Sequence, residues 1–384
     1  MEPSELPQAL QHHASMLGVD RISVYVADVQ QDQLVMLPQR YGNTERQLPI
    51  GSSDAGRAYR NVTEHIAVGD SGGLVLWLPL IDGIERLGVL CVEADTISAQ
   101  ALQLCRSLST IVTLVMFTQG LFSDTYARFQ RTQKMEISAE MVWAFLPPRS
   151  IGSRMTTSSA TLEPAYDLGG DAFDHSLVDH MLHVTIIDSM GHDLSAGMSS
   201  AVALAACRNA RRSGTPDLGP LVEGVNRALL KAFDARHTTS IFAQLHLETG
   251  QLEWVNAGHP PPLLLRNGEV VDRALERDPE PPLGLPDGLA ESTRTVHEAH
   301  LQPQDRVLFY TDGVVDARSP SGEDFGIDRF TDFILRAIAA DEAPPETLRR
   351  LTKAILQYQH GPLVDDATIV MFQWHPSRSP DYFF

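Results

Sequence analysis

The stretch VTIIDSMGHDLSAGMSSAVALAA, residues 184–206, contains the change of pattern that decides how the second half of this chain folds. An apolar run typical of a buried strand ends on Asp188, and a run of small residues at helical spacing begins after Asp193. A carboxylate at the mouth of an apolar strand is costly to desolvate unless a positive group receives it. The stretch therefore predicts a strand, a turn and a helix, with Asp188 in a polar role.

The bulk composition is that of a globular protein with a strong acidic excess. The 384 residues are 43% hydrophobic and 21% charged, with a formal net charge of −19, and this length favours two domains. Phosphate and anionic lipid surfaces are bound by clustered Lys and Arg, so the acidic excess argues against nucleic-acid and membrane partners. We expect a cytoplasmic protein, because MEPSELPQAL lacks the apolar core of a signal peptide and no apolar run approaches about 20 residues.

Hydrophobic periodicity divides the chain into four parts. They are a sensor-like domain over 1–117, a helical linker over 118–148, a second domain over 149–375 and a flexible tail over 376–384. The second domain shows hairpin-spaced strands and helices at about 194–212, 217–234, 326–339 and 344–359. Tight hairpins imply antiparallel pairing, so this domain is predicted to be α+β in layers. Its polar stretch GSRMTTSSATLEPAYD is predicted to be an exposed strand or loop.

The linker continues the helical pattern that Ser98 opens and carries apolar residues on a roughly heptad schedule. These residues are Phe122, Tyr126, Phe129, Met141 and Phe145. Such a pattern is typical of a helix that pairs with another helix. It predicts an unbroken signalling helix from 98 to 146 and a homodimer through it. A helix packed on its own domain explains the same pattern.

Acidic residues occur where strands end or turns begin. They are Asp171, Asp188, Asp312 and the pair Asp365–Asp366. No Lys or Arg closely flanks the first three, and neighbouring glycines would let the backbone approach a ligand. Hard cations such as Mg²⁺ and Mn²⁺ prefer carboxylate and carbonyl oxygen, so converging strands would form a one- or two-ion site here. Ordinary Asp-Gly turn chemistry explains any one of these acids taken alone.

Five short motifs in order extend this pattern: GGDAFD, DSMGHD, NAGHPPPLLL, LFYTDGVVDA and DDATIV, with AFLPPRS ahead of them. Together they resemble the metal-dependent serine/threonine phosphatases of the PPM class, in the branch of the sporulation stage II protein E and the sigma-regulator phosphatases. The resemblance covers about residues 140–374. It implies an αββα sandwich of two antiparallel sheets between helices, with a metal centre at one edge, and phosphate ester hydrolysis without a phospho-enzyme.

The resemblance also implies roles for individual residues. Asp188 matches the carboxylate that bridges two Mn²⁺ or Mg²⁺ ions, and Ser189 matches the position whose backbone carbonyl contacts one of them. Asp171, Asp312 and Asp365 match the other acidic ligands. Asp171, Asp188 and Asp312 are accordingly the expected catalytic residues.

Two positions depart from the family pattern. Ala172 stands where relatives carry a bulky aromatic residue, and Asp193 stands where glycine is common. Asp193 either tolerates a positive φ or caps the helix that follows it. Asp366 is expected to support the site, and His259 to be a structural histidine in its turn. The departures leave a second interpretation open, a non-catalytic module that binds a phosphoprotein or another partner.

The N-terminal domain resembles the GAF sensor fold. The resemblance is carried by LPIGSSDAGRAYRNVTEHIAV and LVLWLPLIDGIERLGVLCVE, over about residues 1–117. It implies an α/β domain that binds a small ligand, whose identity is unknown, or that dimerises. For the whole chain, the two resemblances imply a sensor-regulated phosphatase whose substrate is a phosphorylated anti-sigma-factor antagonist protein.

Overall fold

A computed structural model describes residues 2–38, 46–69, 72–167, 169–191, 193–214, 217–234, 236–285, 294–361, 363 and 365–376. The contacts between Cα atoms divide the chain into two compact units, 1–134 and 135–384. Two predictions reach beyond the described residues: the flexible tail after residue 376, and the turn containing His192.

The N-terminal unit is built on a six-stranded antiparallel sheet of order β3-β2-β1-β6-β5-β4. Its strands are β1 Arg21–Ala27, β2 Gln33–Met36, β3 Gln47–Pro49, β4 His65–Val68, β5 Leu74–Asp82 and β6 Glu85–Ala94. Its helices are α1 Leu6–His13, α2 Asp54–Asn61, α3 Ala99–Gly120 and α4 Thr125–Gln130. One face of the sheet packs on α1, α3 and α4, and the other packs on α2. The identification of this unit as GAF-like stays a prediction.

The predicted unbroken helix from 98 to 146 is wrong. α3 ends at Gly120, α4 is a separate short helix, and α5 covers Ile137–Phe145 in the C-terminal unit. The first break follows from Ser123, whose Oγ accepts a hydrogen bond from the Thr125 amide at 3.2 Å and so competes with the helical ladder. The heptad residues do not share one face, because Tyr126 is buried in the N-terminal core whereas Phe122 is exposed.

Helix α3 also corrects the expectation about apolar runs. Within the described part of the chain it is the one helix long and apolar enough to cross a membrane, with a mean hydropathy of 1.4. About a third of that stretch, 33%, is buried, through side chains such as Cys105, Val112 and Met116. The core helix of a soluble unit has this same composition, so length and hydropathy are weak evidence for a membrane span.

The C-terminal unit contains two antiparallel sheets, of order β15-β12-β11-β10-β9 and β14-β13-β16-β17-β8-β7. The strands are β7 Ser150–Gly152, β8 Thr156–Glu163, β9 Asp171–Val178, β10 Met181–Ser189, β11 Thr238–His246, β12 Gln251–Ala257, β13 Leu263–Arg266, β14 Glu269–Val270, β15 His297–His300, β16 Arg306–Tyr310 and β17 Ala367–Trp374. The helices after α5 are α6 Leu194–Arg212, α7 Leu218–Ala232, α8 Asp312–Val315, α9 Gly326–Ala339 and α10 Pro344–Gln359. The four helices predicted for this unit are α6, α7, α9 and α10, each within a few residues of its predicted bounds.

Alternating side chains divide the second sheet between two cores, as expected for the middle of a layered sandwich. Val307, Phe309, Val370 and Phe372 join the core shared with the first sheet and with α6 and α7. Leu308, Tyr310, Ile369 and Met371 pack against α9 and α10. The predicted αββα layering is therefore confirmed.

The polar stretch after residue 151 is a buried strand and not an exposed one. β8 pairs with β17 along its whole length, and its Ser158 and Ser159 are fully buried. Their hydroxyl groups bond to partners inside the unit: Ser158 Oγ lies 2.9 Å from Nδ1 of His175, and Ser150 Oγ donates to Ser159 Oγ at 3.2 Å. Satisfied hydroxyl groups can be buried at little cost, so polarity misled the sequence-based prediction here.

A buried ion pair network joins α6 to β9. The carboxylate of Asp174 is 2% exposed and lies 2.6 Å from Nη2 of Arg208 and 2.9 Å from Nη2 of Arg211. Both arginines are on α6, the helix that follows the loop after Asp188. The network therefore fixes the position of this helix on the sheet.

We expect Asp174→Ala to lower the free energy of unfolding by about 3–5 kcal/mol, because it leaves two largely buried guanidinium groups without their carboxylate. Urea denaturation would measure the loss. Asp332→Ala is the matched control, since Asp332 pairs with Arg336 on the exposed face of α9 and should change the same quantity by less than about 1 kcal/mol. Equal losses in the two variants would contradict the assigned role.

Candidate active site

The hairpin of β9 and β10 places two acids side by side. Asp171 begins β9 and Asp188 lies near the end of β10, and the antiparallel register sets them directly opposite each other. Directly opposed residues have Cβ atoms about 4.5–5.5 Å apart, a spacing at which like charges repel. The sequence predicted that these two acids would converge, and the strand register brings them together.

The second sheet supplies the other half of the site. Thr311 follows β16, and its hydroxyl group donates to Oδ2 of Asp171 at 2.8 Å while accepting from the Thr368 amide at 2.9 Å. The carboxylate of Asp366, just before β17, accepts from the amides of Gly169 at 2.8 Å and Asp171 at 3.1 Å. These bonds hold the start of β9 against the second sheet.

Two of the glycines beside the acids allow backbone to approach backbone. A Cβ atom on Gly170 would lie 2.1 Å from the Ser189 carbonyl oxygen, and one on Gly313 would lie 2.0 Å from the Asp366 carbonyl oxygen. Neither distance can accommodate a side chain. These glycines were expected to let the backbone approach a ligand. In the structure, each one instead leaves the space that a carbonyl group of the neighbouring segment occupies.

Exposure increases across the acidic residues. Asp171 and Asp366 are buried at 2% and 6%, Asp188 is half-buried, and Asp312 and Asp365 are exposed. The site thus has an inner side held by hydrogen bonds and an outer side open to solvent. A molecule arriving from solution would meet the outer carboxylates first.

Burial, followed by repulsion between like charges, controls the electrostatics of the site. Burial, and then the charges of Asp188 and Asp366, raise the pKa of Asp171 well above its usual range. Burial and the charges of Asp312 and Asp365 raise the pKa of Asp188 to about 7. Burial and the charge of Asp365 also raise the pKa of Asp312. Each group is harder to ionise because its neighbours carry the same charge.

Within the described residues, the structure brings these acids together without a positively charged partner. No salt bridge among the described residues includes Asp171, Asp188, Asp312, Asp365 or Asp366. Across the same residues, no three His, Cys, Asp or Glu side chains already stand close enough together to form a ligand shell for a metal ion. The donor set is all oxygen, which is the chemistry that Mg²⁺ and Mn²⁺ select.

Hydroxyl groups beside the carboxylates are the part of the site that the sequence analysis missed. Thr239 Oγ1 contacts Oδ2 of Asp188 at 3.4 Å and lies 3.0 Å from Nδ1 of His259. Burial lowers the pKa of His259 to about 3, so its ring is neutral. His259 is thus a structural histidine, as predicted, but it reaches Asp188 through Thr239. Two features of the sequence indicate these hydroxyl groups. Thr311 directly precedes Asp312, and Thr239 lies in the strand pattern that pairs opposite Asp188.

Ser189 and Asp193 occupy defined places next to Asp188. The Ser189 side chain is buried, with its Oγ 2.8 Å from Ser200 Oγ. A ligand contact through the Ser189 backbone carbonyl stays a prediction. Asp193 has φ −98° and caps α6, because its Oδ1 accepts from the Ala196 amide at 2.8 Å. Of the two interpretations of Asp193, capping is confirmed.

Comparison with known proteins places this arrangement in a family. The sequence model described as Stage II sporulation protein E (SpoIIE) matches residues 179–375, just over half of the chain. The matched region contains Asp188, Ser189, Asp312 and Asp365, and it begins after Asp171.

Individual relatives agree with this match. Protein IcfG of Synechocystis sp. (strain ATCC 27184 / PCC 6803 / Kazusa) is 31% identical over 138 residues, which cover 35% of this chain and 20% of IcfG. Phosphoserine phosphatase RsbP of Bacillus subtilis (strain 168) is 28% identical over 158 residues, which cover 39% of this chain and 37% of RsbP. The matches thus span a minor part of each relative.

A solved structure shows the same fold. The SiaA-PP2C domain of Pseudomonas aeruginosa superposes with a TM-score of 0.52 at 20% identity, over 62% of this chain and 94% of that domain. At this level of identity the likeness concerns the fold alone, and it agrees with the two-sheet sandwich described above. From the family match, we conclude that the chain belongs to the Stage II sporulation protein E (SpoIIE) family.

Proposed function

We propose that this protein is a metal-dependent phosphatase that hydrolyses phosphoserine or phosphothreonine in a protein. The observation that carries the proposal is that strand register and the second sheet bring Asp171, Asp188 and Asp366 to one edge of the sandwich, beside Asp312 and Asp365. Burial and like charges raise the pKa values of Asp171, Asp188, Asp312 and Asp366, and no salt bridge among the described residues includes them. Such a group costs stability unless cations receive it. The family match and the likeness to a protein named phosphoserine phosphatase support the same reaction.

The residues present fit Mn²⁺ or Mg²⁺. Asp171, Asp188, Asp312 and Asp365, together with the carbonyl group of Ser189, are the groups that would hold two such ions. Bound there, the ions would supply charge stabilisation for the phosphoryl group and an activated water. The positive charge of the bound ions would then offset the repulsion between these carboxylates.

The remaining residues of the site act by holding these ligands. Thr311 donates to the inner oxygen of Asp171 and orients its carboxylate. Asp366 binds the amides of Gly169 and Asp171 and so supports the loop before β9. Thr239 orients Asp188 and is itself oriented by the neutral ring of His259. Hydrogen bonds of this kind commonly set metal affinity.

The substrate and the regulation are the finer parts of the proposal. We propose that the substrate is a phosphorylated anti-sigma-factor antagonist, in line with the sigma-regulator branch that the motifs resemble. The N-terminal unit would be a GAF-like sensor for a small ligand, the active form a homodimer, and the location cytoplasmic. Since the helical connector is broken after Gly120, any signal would pass through short helices and their turns.

A second function, partner binding without turnover, rests on Ala172 and Asp193. The structure gives both residues ordinary roles, since Ala172 is a core residue of β9 and Asp193 caps a helix. Neither role removes a carboxylate from the site. These observations favour the enzyme.

Catalytic activity is expected to require a divalent cation and Asp188. We expect hydrolysis of p-nitrophenyl phosphate with Mn²⁺, no hydrolysis with excess chelator, and a loss of at least 100-fold in kcat/KM for Asp188→Asn. Asp179→Asn is the control, because Asp179 lies in the turn at the opposite end of the same hairpin. Wild-type protein that binds Mn²⁺ but hydrolyses neither this ester nor phosphoserine peptides would support the binding module instead.

Without metal, the ionised Asp188 carboxylate is expected to destabilise the fold. The folded-state pKa of Asp188, about 7, lies above the value of about 3.9 expected in the unfolded chain. Its contribution to folding is therefore complete below about pH 4 and is lost as the pH rises through 7. In chelator at pH 8 we expect Asp188→Asn to raise the free energy of unfolding by about 1–3 kcal/mol, although it abolishes activity. Unchanged or lowered stability in urea would argue against repulsion at this site.

Thr311 is expected to support metal binding by holding Asp171 in place. Thr311→Val removes the donor to Asp171 and the acceptor for the Thr368 amide, and we expect it to weaken Mn²⁺ binding by about 10–100-fold. Thr311→Ser keeps the hydroxyl group and should restore most of the affinity. Isothermal titration calorimetry would measure both variants. Equal affinity for the valine variant and the wild type would remove Thr311 from the site.

A further inference from the structure

Apolar side chains are exposed on the segment that leaves the candidate active site. Met190, Leu194 and Met198 are 45%, 47% and 45% exposed. Leu194 and Met198 lie one turn apart on α6, and residues four apart share a helix face. Met190 precedes Leu194 by four residues and lies in the loop before α6, two positions after Asp188. Large apolar groups gathered beside a functional site are typical of a recognition surface, and methionine adapts to varied partners.

The guanidinium group of Arg236 lies next to the apolar stripe, which consists of Met190, Leu194 and Met198. Arg236 Nη1 donates to the Met190 carbonyl at 3.2 Å, and its Nη2 donates to Oδ2 of Asp193 at 3.2 Å. The Arg236 side chain is 25% exposed. A guanidinium group has five N–H donors, and across the described chain these two bonds are the ones it makes, so donors remain for a ligand.

The strand register places Arg236 at a useful distance from the carboxylates. Thr239 is the residue opposite Asp188, and Arg236 precedes Thr239 by three residues, or about 10 Å of extended chain. If the phosphorylated side chain of an extended substrate lies at the carboxylates, substrate residues about three positions away along the chain would lie beside Arg236. At this distance the Arg236 guanidinium group would contact the substrate segment that flanks the phosphorylated residue, and not the phosphoryl group itself.

We propose that Arg236 and the stripe of Met190, Leu194 and Met198 form a recognition rim for the segment that flanks the phosphorylated residue. The occupant is a phosphoprotein with an apolar side chain and a carboxylate within about three residues of its phosphoserine or phosphothreonine. Charge complementarity at Arg236 selects the carboxylate, and exposed apolar area selects the apolar side chain. This inference rests on the proposed function and adds the chemistry of the substrate.

Asp193 acts in the rim as a positioning residue. Its Oδ1 caps α6 and its Oδ2 pairs with Arg236, so one side chain ties the guanidinium group to the loop after Asp188. The two roles can be separated, because asparagine caps helices about as well as aspartate but carries no charge. Asp193→Asn should keep the helix and loosen Arg236.

The test compares two 11-residue phosphoserine peptides and p-nitrophenyl phosphate. One peptide carries Leu and Glu within three residues of the phosphoserine, and the other has Ser at those positions. With Mn²⁺ we expect the wild type to prefer the first peptide by about 10-fold in kcat/KM. Leu194→Gln with Met198→Gln, and separately Arg236→Ala, should reduce this preference to about 2-fold by raising KM, with kcat and the rate on p-nitrophenyl phosphate changed by less than about 2-fold.

Two controls separate recognition from structure. Ile327→Gln replaces an exposed apolar residue of α9 and should keep the full preference. Asp193→Asn should raise KM for the Glu-containing peptide by about 2–5-fold, with a melting temperature within about 2 °C of the wild type. A wild type without preference, or rim variants that lose all three substrates equally, would overturn the rim.

Failure of the proposed function would look different. If the wild type hydrolyses none of the three substrates, the phosphatase proposal falls, and fluorescence anisotropy with the same labelled peptides decides the rim. Binding of the Leu/Glu peptide at least 5-fold weaker in the rim variants would support it, and equal binding would overturn it. Rim variants that only convert a dimer into a monomer, with peptide preference intact, would assign the stripe to a second copy of the chain and overturn the proposal.

Discussion

Repulsion among carboxylates at one edge of the sandwich is the constraint on which the rest of the C-terminal unit depends. Asp171 and Asp188 are opposed by strand register, and Asp366 is a second buried acid beside Asp171. Only a rigid framework holds like charges this close, and the unit supplies it with two sheets, a shared apolar core and amide donors to Asp366. The close backbone contacts at Gly170 and Gly313 belong to the same framework, since they bring the carbonyl groups of neighbouring segments next to the acids.

Much of this framework could be predicted from the sequence because its signals are local. The apolar run before Asp188, the small-residue helix after it and the tight hairpins each have a period that a short window reveals. The acids were found for the same reason, since each marks the end of such a window. The sequence fits two interpretations of Asp193, and the structure selects helix capping because the residue has an extended backbone and its side chain reaches the Ala196 amide.

The parts that could not be predicted depend on partners distant in sequence. Thr311 reads as one more polar residue at a strand end, and only the pairing of β16 with β17 and the approach of β9 give its hydroxyl group two partners. Polar side chains predict an exposed strand at β8, but the strand is buried because Ser158 and Ser159 find hydrogen-bond partners elsewhere in the unit. The linker does not form the single helix that its heptad spacing predicts. That spacing cannot show that the Ser123 hydroxyl group competes with the helical hydrogen bonds, or that Tyr126 is buried in the N-terminal core.

The bond from the Asp171 amide to Asp366 spans 195 residues of sequence, and this separation has a consequence for how the protein is made. Contacts between distant residues form late, because the loop that they close is entropically expensive. On the ribosome, the first sheet would emerge and pair well before β17 is synthesised. In the nascent chain, Asp171 and Asp188 would therefore be paired before Asp366 is present to accept the hydrogen bond from the Asp171 amide. The complete acidic edge would form only when β17 joins the second sheet.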